Sequence, residues 1–101
     1  MYVILTSKPG QFRTELVDGL RPLEAYDYLF YGHKKAYFVI AELLKDTKIR
    51  VIEEESEIVN DVPSKFLEKF ESPEQALTEL NHLTSFGTME TALRKAAIIQ
   101  R

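Results

Sequence analysis

The stretch "YDYLFYGHKKAYFVI", Tyr26 to Ile40, decides the fold, because it can be laid on a helix or on two strands. A helical stripe can be drawn over residues 23–44 through Leu23, Tyr26, Phe30, Tyr37, Ile40, Ala41 and Leu44. Composition argues against it. A mid-run glycine costs a helix about 1 kcal/mol relative to alanine, and "AYFVI" is rich in residues that favour strands. Read as strands, Tyr26, Tyr28 and Phe30 alternate with Asp27, Leu29 and Tyr31, the residues Gly32 to Lys35 form the break, and Phe38 and Ile40 alternate with Tyr37, Val39 and Ala41. The second strand is apolar on both faces, the mark of a central strand covered on both sides or of one closed into a barrel.

The same period of two runs outward from this pair. "YVILT" reads as a first strand, and Pro9 and Gly10 in "SKPGQ" suit the two central positions of a type II turn. In "FRTELV", Phe12, Thr14 and Leu16 share one face opposite Arg13 and Glu15, and "DGLRP" is the next break. "KIRVIEEE" is apolar at Ile49 and Val51 and then increasingly charged, as in an edge strand guarded against pairing with other chains. An acidic connector follows over residues 56–62. Helix signals come after it: Ser72 as cap, Pro73 at the first helical position, Gln75 completing a capping box, and an apolar stripe of Ala76, Leu77, Leu80 and Leu83 that Gly87 is placed to end. "TMETALRKAAII" predicts a second helix capped by Thr88, with Leu93, Ala96 and Ala97 on one side, while "SKFLEKF" fits either a helix presenting Phe66, Leu67 and Phe70 or a sixth strand. The expected fold is therefore α+β: an antiparallel β-meander of about five strands in residues 1–55, able to curl into a partly open barrel, packed by C-terminal helices in residues 63–101.

At 101 residues and 45% hydrophobic content, one domain with one core is expected over residues 1–101. No run approaches the roughly 18 to 20 apolar residues that span a bilayer, and the N-terminus lacks a basic lead and a small-residue cleavage site, so a cytoplasmic protein with no membrane partner is expected. Absence of cysteine removes disulfides, thiolate nucleophiles, iron–sulfur ligation and thiolate zinc sites. The net charge of −3 is uneven: residues 1–52 carry eight basic against six acidic side chains, residues 53–101 five against ten. Nucleic acid is accordingly not expected as a partner beyond a local basic patch.

Candidate chemistry is sparse. Glu79 and His82 form an E-x-x-H, the spacing of diiron carboxylate helices, but in a single copy, and no metal or other cofactor is expected. His33, Lys34 and Lys35, placed at the tip of the hairpin, are candidates for acid–base or phosphate contacts on a rigid sheet. "KKAYFVIA" overlaps the RNA-recognition octapeptide only at its basic first residue, Phe38 and Val39. The glycines are too dispersed for a phosphate-binding loop, and no G-x-S-x-G elbow occurs. The acidic run Glu53–Glu57 reads as a solvated linker that could dock on a basic partner.

The functional expectation is a cofactor-free protein-binding or accessory module, homodimeric or a small subunit, using Tyr26, Tyr28, Tyr31, His33, Lys34, Lys35 and Tyr37. At least two of the six rings of the hairpin should be exposed beside His33, because one layer of short helices cannot cover so much aromatic area. The alternatives are a small enzyme or ligand binder with an enclosed β pocket, and a weak single-stranded nucleic-acid binder.

Overall fold

The computed structural model describes residues 1–85 and 87–99. Strands β1 (Tyr2–Ser7), β2 (Phe12–Glu15), β3 (Leu20–Phe30), β4 (His33–Leu43), β5 (Lys48–Glu53) and β6 (Val59–Pro63) precede a 3-10 turn (Ser64–Phe66), helix α1 (Pro73–Thr84) and strand β7 (Thr91–Ala96). They build two antiparallel sheets, in the orders β1-β4-β3-β7 and β2-β5-β6, and the sheets do not close into a barrel.

β4 is central and covered on both faces, as its two-sided apolar pattern requires. One face of the larger sheet carries Val3, Leu5, Ala25, Val39 and Ala41, which meet Ile49 of the smaller sheet. The opposite face carries Tyr26, Ala36, Phe38 and Ile40, which meet Ala76 and Leu80 of α1. The result is three layers: helix, four-stranded sheet, three-stranded sheet. Helix α1 starts where its sequence signals place it. Ser72 Oγ accepts from Gln75 N at 3.1 Å, Pro73 needs no donor at the first position, and Gln75 Oε1 accepts from Glu71 N at 3.1 Å. Gly87 is left-handed, but it lies three residues past the end of the helix.

Turn chemistry sets the registers. Gly10 has φ 78°, and Gln11 N donates to Lys8 O at 3.0 Å, which is the type II turn expected around Pro9. The sheets are joined at the β1–β2 corner: Thr14 N donates to Ser7 Oγ at 2.9 Å and the Thr14 hydroxyl donates to Thr6 O. The β3–β4 hairpin turns tightly on Tyr31 and Gly32, both left-handed at φ 50° and 78°, so that Phe30 pairs with His33. This corrects the expected break at Gly32 to Lys35: the three residues after Gly32 belong to β4, and two residues suffice for a turn whose twist matches the strands. Two bulges interrupt the ladder, where Leu23 and Lys35 stand without a pairing partner. The first follows Pro22, whose missing N–H is tolerated beside a bulge.

Three further expectations are corrected. Part of the acidic connector over 56–62 is strand, since Val59 to Pro63 pair with β5. The predicted helix in "TMETALRKAAII" is instead β7, because the outer edge of β3 offers a full ladder and Leu93, opposite Tyr28, joins the cluster under α1. Tertiary pairing here overrides helix propensity. "SKFLEKF" is neither a full helix nor a strand. After the 3-10 turn, a single bridge with Tyr2, 2.8 Å in both directions, fastens Phe70 to the edge of β1, and Phe66 is exposed.

Ile40 of β4 is fully buried against α1. Its replacement by alanine should lower unfolding stability by about 2–5 kcal/mol in urea titration followed by circular dichroism, as for large-to-small changes in a filled core.

Candidate functional site

A recess of about 410 Å³ opens where the ends of the two sheets meet beside the β1–β2 turn. Its rim and walls come from Ser7 of β1, from Pro9 and Gly10 of the turn, and from Phe12, Arg13 and Thr14 of β2. β4 adds Lys34 and Tyr37, the β5–β6 turn adds Glu54, and the segment after β7 adds Ile99. Two smaller recesses, about 190 and 200 Å³, lie beside α1 and between the sheets; the first is of mixed polarity and the second largely apolar.

The β4 bulge shapes the large pocket. Side chains alternate along a strand, so an unbroken β4 would put Lys35 on the face of Tyr37. With Lys35 bulged out, Leu29 pairs with Lys34 and Asp27 with Tyr37, so Lys34, Asp27 and Tyr37 share that face. Lys34 Nζ lies 2.9 Å from Asp27 Oδ1 and 5.3 Å from the centre of the Tyr37 ring. The carboxylate is off-axis for a hydrogen bond, and the charge of Lys34 is what compensates this buried oxygen. The Tyr37 hydroxyl is also committed. It donates to Ala97 O at 2.7 Å and accepts from Ile99 N at 3.0 Å, tying the segment after β7 across the pocket.

Arg13 is less fully used. Nη1 donates to Glu54 Oε2 at 3.3 Å, while Nε is buried with no hydrogen bond, its nearest carboxylate being Glu15 Oε2 at 3.9 Å. A guanidinium offers five N–H donors, and one contact of 3.3 Å satisfies few of them. The backbone N–H of Glu54 donates to Gln11 O at 2.9 Å, which fastens the acidic β5–β6 turn to the pocket rim. The acidic run Glu53–Glu57 is therefore a hairpin turn rather than a loose linker.

Of the residues expected at a partner surface, Lys34 and Tyr37 line the pocket. Tyr31, His33 and Lys35 are exposed around the hairpin end. Tyr26 and Tyr28 face α1 instead, the first buried and the second half-buried. The expected cluster of exposed rings is not found: among the six hairpin rings only Tyr31, at 54%, is exposed, because the larger sheet has covering layers on both faces. Glu79 lines the small recess beside α1 and His82 is exposed, and among the described residues no three His, Asp or Glu side chains gather as metal ligands. Arg13, Phe12 and Glu54 had no site signal in the sequence. All three belong to the smaller sheet and its β5–β6 turn, where the β2–β5 ladder pairs Phe12 with Glu53 and so sets Glu54 beside Arg13, a neighbourhood that no local stretch of sequence announces.

Tyr26 carries a perturbed phenol on the α1 face. Burial, then the hydrogen bond it donates to Glu24 Oε2 at 2.7 Å and the charge of that carboxylate, push its pKa from 10.0 up to about 12. Below pH 10 the phenol is neutral in both folded and unfolded chains, so its stabilising contribution is intact there; it is lost as pH rises from 10 to about 12, where the unfolded chain releases the proton first. Ultraviolet titration of tyrosinate should accordingly show one late group that a Tyr26→Phe variant lacks, and that variant should lose less stability over the same pH range. Compared with known proteins, the chain matches no protein-family model, no curated protein and no solved structure.

Proposed function

We propose that this chain is a small accessory binding module whose ligand site is the pocket at the corner of the two sheets. The observation that carries this reading is Arg13, a partly buried guanidinium with an unpaired Nε, set in a recess of about 410 Å³ whose walls mix apolar and polar side chains. That volume lies in the range of small-molecule sites, as does the mixture of apolar wall and few convergent polar groups. Among the described residues of the pocket none sets a nucleophile against a base, which favours binding as the role. The protein-partner reading that the aromatic hairpin suggests has less behind it, since one of its rings is exposed. Single-strand stacking has less still, with the charge of Lys34 spent on Asp27.

A nuclear magnetic resonance screen with small organic fragments tests this. Hits should shift the amides of Ser7, Gly10 to Thr14, Lys34 and Tyr37 as one group. Fragment hits confined to other surfaces, or none at millimolar concentration, would count against a pocket ligand.

A second reading, self-association through the hairpin end, has one specific observation in its favour. Tyr31 holds a left-handed conformation that costs a side-chain residue roughly 1–2 kcal/mol, at a turn position where Asn or Gly fits freely. Its N–H donates to Glu90 O at 2.9 Å, next to exposed Met89, which leaves an apolar spot at the tip. Replacement of Tyr31 by Asn should raise stability by roughly 1 kcal/mol. If the tip serves association, that replacement should also weaken any dimer seen by sedimentation; an unchanged or purely monomeric profile would remove this reading.

A further inference from the structure

We infer that the corner pocket takes an organic monoanion, a carboxylate on a flat apolar body, and that Glu54 occupies the place of that carboxylate when the pocket is empty. This rests on the pocket reading above and names its ligand class.

The two cations of the pocket differ in how firmly they are held. Lys34 sits 2.9 Å from Asp27, whose oxygen is buried, so removing that partner would strand a buried charge. Arg13 meets Glu54 through one contact of 3.3 Å, and the Glu54 side chain is 38% exposed, so this carboxylate can swing into water at little cost. A ligand carboxylate would therefore displace Glu54 from Arg13 rather than Asp27 from Lys34. It could use two parallel N–H donors where Glu54 uses one, the geometry for which guanidinium is suited.

The charge count selects a single negative charge. Arg13 and Lys34 face Glu54, Asp27 and Glu15, the last at 3.9 Å from Arg13 Nε. One expelled carboxylate makes room for one charge. A phosphate dianion would meet Asp27 and Glu15 with the second. Of the remaining lining, Pro9, Phe12, Ile99 and the Tyr37 ring are apolar, while the polar groups are engaged: the Tyr37 hydroxyl is bonded at both its donor and acceptor sites, the Thr14 hydroxyl donates to Thr6 O, and Ser7 Oγ accepts from Thr14 N. The body of the ligand thus meets hydrocarbon and ring surface, with one polar anchor.

Titration of the full chain with 2-naphthoate and with its neutral counterpart 2-naphthamide, read by amide shifts at the pocket, separates the possibilities. The acid should bind about tenfold or more tightly than the amide, the ratio expected of a hydrogen bond to a charged group. Glu54→Gln should tighten naphthoate severalfold by removing the competing carboxylate and leave naphthamide unchanged. Arg13→Gln should erase the preference. Equal binding of acid and amide, or a Glu54→Gln variant with an unaltered ratio, would overturn the monoanion assignment and leave the pocket reading standing. Failure of both compounds to shift the pocket amides would overturn both, and the Glu54→Gln variant, altered only at an exposed turn, keeps the test valid if Arg13→Gln does not fold.

Discussion

A strand that is apolar on both faces has to be covered twice, and in this chain that strand is β4. Val39 and Ala41 need a layer on one side, Phe38 and Ile40 on the other. The chain supplies the two layers by different means. The smaller sheet, built from β2, β5 and β6, folds back over one face, which requires the sharp β1–β2 corner with its hydroxyl contacts between Thr14, Ser7 and Thr6. The other layer is α1, held by Ala76 and Leu80, both fully buried. Burial at roughly 25 cal/mol per Å² of apolar surface makes this double cover the main stabilising term, and the remaining elements are fitted around it.

The pocket is a product of the same constraint. Two sheets that share a tight corner but no continuous ladder leave a wedge beside it, and that wedge is walled by whatever side chains the registers present there. Lys34 reaches the wedge through the bulge at Lys35, and Glu54 reaches it because the β5–β6 turn is pinned to Gln11. Neither is a property of one segment.

This explains what could be read from the amino acids. Alternation across Tyr26–Ile40, the Pro9–Gly10 turn and the Ser72–Gln75 cap are local signals whose physics is complete within a few residues, and each is found in the structure. The central position of β4 was legible as well, from its apolar pairs. β7 was not, because "TALRKA" has no strand preference strong enough to announce itself and takes its conformation from the open edge of β3. The exposed ring cluster failed for a related reason: the expected cover was short helices alone, while the smaller sheet adds a second layer. Arg13 looked like the solvent side of a half-exposed strand, and nothing near it in sequence points to Glu54.

The late position of β7 also bears on how the protein is made. β3 ends at Phe30 and the strand that covers its outer edge begins only at Thr91. Chains fold progressively as they emerge from the ribosome, so β3 and β4 can pair while that edge has no partner. An unpaired edge is where nascent chains add to one another. On β3, Glu24 lies along this border and in the finished protein approaches Lys95 of β7, whereas Asp27 already meets its partner Lys34 within the β3–β4 hairpin. Until β7 is made, the Glu24 carboxylate sets like charge against like wherever two such edges meet, and the group that later faces Lys95 guards the border in the interval.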